Sequence, residues 1–277
     1  MKISQYLNTD TVQGTMLLPL LSRARCAEKY PGFFRDPAAR KAAGELEVPP
    51  MLRKMAEQAA PLYALRQEVL LLAVRRYLRS CPEAVIVNLG CGLDTSFSKA
   101  DNGRCRWINL DLPGVMEVRR RLLPCGEREE LLAADAEDLS WIETIGSRPC
   151  YVIAGGFFYY FPEARVRRLL CAMADSFPGG GVCFDCESPL ALRLSQETAR
   201  RAGSAEAPMY FSLKNPERQL RSWSRSFGGI TCVDRLPGAF RNPAYLPAAD
   251  RFRLRAELRT GLLKFVEIRF RGKRTGN

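Results

Sequence analysis

Apolar residues recur at helical spacing over the first 81 positions. In MLRKMAEQAAPLYALRQEVLLLAVRRYL, Leu52, Met55, Ala59, Leu62, Leu65, Val69 and Leu72 fall on every third or fourth position. That pattern predicts a long amphipathic helix with these residues on its buried stripe. Pro61 lacks an amide hydrogen and predicts a break or kink within it, and Pro82 predicts its end. Beyond Pro82 the rhythm changes to short apolar runs separated by helical stretches. AVIVNL, CRWINLD (105–111), ELLAAD (130–135), CYVIAGG (150–156) and the strand after GGG in GGGVCFDCES read as five strands. GVMEVRRRLL reads as a helix after the second. Pro162 is placed as a first-turn residue of another helix, which buries Val166, Leu169, Leu170, Met173 and Phe177. Strands alternating with helices predict an α/β fold, a mostly parallel sheet covered by helices on both faces.

The chain therefore divides into an N-terminal helical cap or lid, residues 1–81, and a Rossmann-like domain, residues 82–277, joined in one compact unit. Residues 187–228 interrupt the alternation and predict a helical insertion. GGITCVDRLP and LKFVEIRFR are two further strand-like runs with about 30 residues between them and no helical crossover signal.

VIVNLGCGLDT, residues 85–95, ends the first strand in a glycine turn. Gly90 and Gly92 match the first two glycines of a dinucleotide turn, but Thr95 stands where the third would pack beneath a pyrophosphate. Asp94 adds a negative charge to the turn. Both features favour a nucleoside without phosphates. Asp111 ends the second strand, where a carboxylate accepts hydrogen bonds from ribose hydroxyls. S-adenosylmethionine has the required chemistry: adenosine, no phosphate, a sulfonium cation and an amino-acid tail.

Composition narrows the chemistry. The chain has no histidine, which excludes Ser-His-Asp, Cys-His and His-metal sites. Cys183 and Cys186 have zinc-like spacing without a second pair, and the cysteines read as reduced thiols of a cytoplasmic protein. No metal and no membrane span are expected. A formal charge of +12 is carried by arginines such as Arg23, Arg25, Arg119 to Arg121, Arg167 and Arg168, read as a solvated surface.

VNLGCGLDT, INLDLPGVMEVRRRLLP, AADAEDLSWIE, IAGGFFYYFPEARVRRLL and FPGGGVCFD occur in an order and spacing that resemble the leucine carboxyl methyltransferase and tetracenomycin-type O-methyltransferase family. The resemblance covers roughly residues 10–190 and more loosely the remainder. It implies a class I methyltransferase fold with a seven-stranded sheet whose last strand is antiparallel, and S-adenosylmethionine as cofactor. It also implies that Gly90, Gly92 and Asp94 approach the methionine part and ribose, that Asp111 with Leu112 holds the ribose, and that Asp135 with Ala136 borders the adenine. Arg66 resembles the family arginine that clamps the cofactor carboxylate, and Arg23 another near the active site. Gly155 is counted with the cofactor-binding residues, and two positions depart from the family: Gly155 itself stands where a glutamate is common, and Ser96 where many relatives have arginine.

The expected reaction is methyl transfer to a carboxylate of a small acidic molecule or a peptide C-terminus. A carboxylate is already ionised at neutral pH and needs no base. Phe157, Phe158, Tyr159 and Tyr160 would wall the pocket. A hydroxyl or phenol acceptor would require a base, with Tyr159, Tyr160 or Asp185 as candidates. A nucleic-acid methyltransferase is suggested only by net charge, and is disfavoured because the fourth strand lacks an Asn-Pro-Pro-aromatic motif. A non-catalytic cofactor-binding homologue is suggested by Gly155, and a nicotinamide-dependent oxidoreductase is more distant still. Oligomeric state is left open.

Overall fold

The computed structural model describes residues 12–146, 148–201 and 208–272. Residues 1–11 of the cap and 202–207 of the insertion lie outside the described residues. The five apolar runs form strands β1 (Val85–Leu89), β2 (Arg106–Asp111), β3 (Glu129–Ala133), β4 (Cys150–Ala154) and β5 (Gly181–Glu187). β1 and β4 are buried along their whole length, as strands covered on both faces must be. β6 (Phe227–Cys232) and β7 (Leu263–Phe270) complete a seven-stranded sheet of order β3-β2-β1-β4-β5-β7-β6. β1 to β5 pair in parallel, and β7 runs antiparallel to both β5 and β6. Strand order reverses between β1 and β4, so the crevice for a ligand lies outside their C-terminal ends.

The cap begins with a 3-10 turn, Val12–Met16, and continues as α1 (Leu17–Lys29), α2 (Pro37–Gly44) and α3 (Pro50–Ser80). Asp36 caps α2 by accepting a hydrogen bond from the Ala39 amide at 3.0 Å. Contrary to the expectation at Pro61, α3 runs unbroken through it for 31 residues. Tertiary packing explains this: α1 lies along α3, and the lower half of α3 is embedded against the sheet. Leu65 and Val69 are buried as expected, but the stripe is shifted from the expected one: Ala56, Ala60, Ala64, Leu71, Val74 and Leu78 also face inward, whereas Leu72 is 41% exposed. Leu70, Leu71, Val74 and Leu78 pack on Ile86, Trp107, Tyr151 and Ile153 of the sheet. The other face is covered by the short α6 (Ser140–Ile145) and α7 (Glu163–Ser176), with Trp141, Val166, Leu170 and Met173 against β1 and β4, whereas Val115, Val118 and Leu122 of α5 (Pro113–Leu122) pack with α1 and α2 of the cap.

Residues 187–228 contain α8 (Pro189–Arg201) and α9 (Pro216–Arg221), as a helical insertion should. Pro162 caps α7 from outside and does not occupy its first turn. The segment between β6 and β7 carries α10 (Gly238–Arg241) and the 13-residue α11 (Ala248–Thr260), where no helical signal was expected. α11 buries only Leu254 and Leu258, too narrow a stripe to register as a period. Among the described residues no helix is long and apolar enough to cross a membrane. Cys183 and Cys186 are free and buried in β5, their thiols pushed up by burial. Two arginines assigned to the solvated surface are instead interior: Arg23 is 4% and Arg119 3% exposed.

Candidate active site

β1 delivers its glycine turn to the crevice. Gly90 and Gly92 have φ of +59° and +47°, which disfavours any side chain. A Cβ at Gly90 would lie 2.3 Å from the Phe157 ring, so the aromatic segment after β4 sits directly on the turn. The turn's three inner carbonyls are each held by a buried arginine. Arg119 Nη1 donates to Gly92 O at 3.1 Å and to Asp94 O at 2.7 Å, and Arg23 Nη2 donates to Leu93 O at 2.7 Å. Glu129 pairs with Arg119 at 3.0 Å and Asp36 with Arg23 at 3.2 Å, so neither cation is left uncompensated.

Asp94 does not project into the mouth of the turn. Its carboxylate accepts from Gln67 Nε2, Asn88 Nδ2 and the Ser96 amide, each at 3.0 Å. Burial alone would raise this carboxyl, but the charge of Arg23 and hydrogen bonds from Ser96 and Gln67 hold it below the usual aspartate range. Thr95, in the third-glycine position, donates to Asp36 Oδ2 at 2.7 Å and accepts from Gln67 at 3.2 Å. Where a third glycine would admit a pyrophosphate, this chain builds a buried polar lattice.

Asp111 meets the turn from β2. Its Oδ2 accepts from the Gly92 amide at 2.7 Å and its Oδ1 from the Leu112 amide at 2.8 Å, leaving one lone pair of each oxygen unspent. Burial pushes this carboxyl up, against those two amides and Arg119. Asp135 is exposed at the end of β3, with Oδ1 accepting from the Glu137 amide at 2.9 Å, and Ala136 beside it is buried. Gly90, Gly92, Asp111 and Leu112 thus form one cluster, with Asp94 and Arg23 beneath it and Asp135 and Ala136 at the end of the next strand.

A second cluster forms across the ends of β4 and β5. Arg66, from α3, donates from Nε to Asp185 Oδ2 at 2.8 Å and stacks over the Tyr63 ring at 4.7 Å. Asp185 is fully buried and also accepts from Tyr159 Oη at 3.0 Å and the Gly156 amide at 2.6 Å. A Cβ at Gly155 would approach Leu70 Cδ1 to 2.8 Å and Arg66 Cδ to 3.5 Å. The Leu70 and Arg66 side chains of α3 thus lie against Gly155, and the carboxylate beside Arg66 comes from β5. Burial pushes the Tyr159 and Tyr160 phenols up. Phe157, half-buried, joins the clusters, whereas Phe158 is core, edge-on to Phe184 at 5.1 Å.

Sequence reasoning missed Arg119, Asp36, Gln67 and Glu187, and considered Asp185 only as a base. Arg119 lies in an Arg-Arg-Arg run that reads as surface. The signal for the β5 pair was available: Asp185 and Glu187, two apart in an apolar strand, share one face.

Comparison with known proteins bears on the family and the fold. Tetracenomycin polyketide synthesis O-methyltransferase TcmP of Streptomyces glaucescens is 33% identical over 123 residues, 44% of this chain and 46% of that protein. The match thus spans about half of that relative's length. Among solved structures, a DUF574 family protein from Streptomyces avermitilis superposes with a TM-score of 0.55 at 15% identity, covering 90% of this chain and 96% of that one. Human N-acetylserotonin methyltransferase in complex with S-adenosylmethionine gives a TM-score of 0.50 at 12% identity, covering 80% of this chain and 55% of the other. These structures share the Rossmann-like methyltransferase fold. The family model for leucine carboxyl methyltransferase matches residues 12–174, more than half of the 277 residues and the whole stretch from the 3-10 turn through most of α7, and the chain belongs to that family.

Proposed function

We propose that this protein is an S-adenosylmethionine-dependent O-methyltransferase whose acceptor oxygen belongs to a carboxylate. The observation that carries the cofactor assignment is the pairing of the glycine turn with Asp111. The turn presents glycine backbone, and Asp111 retains one acceptor lone pair on each oxygen for a ribose diol. Thr95, tied to Asp36 and Gln67 where a third glycine would let the turn close under a pyrophosphate, disfavours a nicotinamide dinucleotide. The fork of Arg66 beyond Nε supports the carboxylate of the cofactor's amino-acid tail, and Asp135 with Ala136 borders the adenine. The cofactor supplies an activated methyl group on a sulfonium.

The state of the nearby acids and phenols supports a carboxylate acceptor. Tyr159 and Tyr160 are held in their neutral form by burial, and Asp185 already accepts three hydrogen bonds. None is free to withdraw a proton from a hydroxyl acceptor. A carboxylate arrives ionised, and its attack on a sulfonium cancels charge, which an apolar wall such as Phe157 favours over bulk water. The protein's part is then alignment of oxygen, methyl carbon and sulfur.

Calorimetric titration of S-adenosylmethionine into wild type and Asp111→Ala tests the cofactor site. The variant should bind at least about 10-fold more weakly, the loss expected of a charged hydrogen-bond acceptor. Equal affinity in a folded variant would overturn the assignment.

A further inference from the structure

Arg66 reaches the end of β4 from α3, and its guanidinium is held there on several sides. Its Nε lies 2.8 Å from Asp185 Oδ2, and among the described residues no other carboxylate pairs with it. Asp185 is itself fixed: it is fully buried in β5, its Oδ1 accepts from the Gly156 amide at 2.6 Å and its Oδ2 from Tyr159 Oη at 3.0 Å. At Gly156 φ is +72°, and a Cβ would lie 2.9 Å from Arg66 Nη1. The guanidinium thus rests on bare backbone, from which a side chain would lift it. Tyr63 lies under it, with the ring centroid 4.7 Å away. The residue after Gly156 is Phe157, whose ring covers Gly90 of the glycine turn. The Nη edge is therefore placed beside the cofactor turn, and 17% of the Arg66 side chain stays exposed.

We propose that Asp185 and Gly156 are positioning residues that set the Arg66 guanidinium to take the carboxylate of the cofactor's amino-acid tail on its Nη edge. This rests on the S-adenosylmethionine reading above. A guanidinium meets a carboxylate through parallel N–H groups, so its rotation matters as much as its distance. Asp185 occupies the Nε side and leaves the outer edge for the tail. It also compensates the cation in a mostly buried place. Because Gly156 and Tyr159 hold both its oxygens, Asp185 keeps its position when a second carboxylate arrives. A long side chain ordered in advance loses little freedom on binding, so the fold has already met that cost. The acid that fixes Arg66 comes from β5, and the end of β4 achieves this with no carboxylate of its own at Gly155.

S-adenosylhomocysteine and methylthioadenosine test this, because both are adenosine thioethers and only the first carries the amino-acid tail. Each is titrated calorimetrically into wild type and variants. Wild type should bind S-adenosylhomocysteine at least about 10-fold more tightly than methylthioadenosine. Asp185→Asn keeps the shape and removes the charge. It should weaken S-adenosylhomocysteine about 10-fold and methylthioadenosine less than about twofold. Gly156→Ala should give the same pattern with every buried charge retained, so the test stands if Asp185→Asn does not fold. In an Arg66→Ala background, Asp185→Asn should cause no further loss, because it acts through Arg66. Equal loss of both ligands in the variants, or additive losses in the double variant, would overturn the positioning roles. A wild type that binds both ligands equally would overturn the Arg66 clamp and leave the nucleoside site standing. A wild type that binds neither would overturn the cofactor reading, and this assignment with it.

Discussion

Asp94 shows how a residue's chemistry depends on which way it faces. The sequence places it in the cofactor turn, where its charge argues against phosphate, yet its oxygens are spent on Asn88, Gln67 and Ser96. The argument against phosphate survives in a different form, since the carboxylate anchors the turn from within. Because its folded pKa is depressed, Asp94 contributes stability above the ordinary aspartate range near pH ~3.9 and loses it as pH falls through the lower folded value. Asp94→Asn should therefore be less stable than wild type at neutral pH, on the order of 1 kcal/mol given its partial exposure. The difference should shrink below about pH 4, leaving the variant with a shallower acid limb. Urea denaturation across pH reads both quantities, and parallel curves at all pH values would contradict this role. Gly155 carries a related lesson. Read alone it is a missing carboxylate; read with the Leu70 side chain against it and Asp185 on Arg66, it is a position whose neighbouring cation already has a carboxylate from β5.

Secondary-structure elements were legible where their apolar pattern was broad. The strands that form the centre of the sheet are continuous apolar runs closed by turns, and their boundaries fall within one or two residues of expectation. α3 was legible as a helix but not in its rotation, because Ala56, Ala60 and Ala64 carry little hydrophobic signal yet let α1 approach. α11 was not legible because charged residues surround its two buried leucines. α5 hid its most consequential residue in a basic run. Arg119 reaches from α5 past β3 to the glycine turn, so one side chain locks three elements together. Arg119→Met should cost about 3–5 kcal/mol, because Glu129 is then left buried beside no cation. Adding Glu129→Gln should recover part of that loss, giving a coupling energy on the order of 1 kcal/mol or more in a double-mutant cycle. Strict additivity would mean that the pair is not a unit. Cofactor affinity should also fall in Arg119→Met, since the carbonyls of Gly92 and Asp94 lose their donor.

At the scale of the chain, the division into cap and sheet is one of sequence pattern and not of core. Leu70, Leu71 and Val74 of α3 share a cluster with Ile86 of β1, Trp107 of β2 and Tyr151 of β4. Cys26 of α1 and Leu65 of α3 share another with Leu254 of α11 and Phe265 of β7. Arg23, Asp36 and Gln67 of the cap supply the bonds that shape the glycine turn. A cap so joined cannot open far without exposing the sheet's apolar face and stranding buried charges, so residues 12–81 and the sheet should unfold together. The distribution of tryptophans makes this measurable. Trp107, Trp141 and Trp223 all lie beyond residue 82, whereas α1, α2 and α3 contribute much of the helix. Thermal or urea unfolding followed by tryptophan fluorescence and by far-ultraviolet circular dichroism should give coincident transitions. Saturating S-adenosylmethionine should shift both by the same amount, because the site proposed for it draws on both parts. An early loss of helical signal with fluorescence unchanged would show instead that the cap is a separable lid, and that the turn keeps its shape without Arg23 and Asp36.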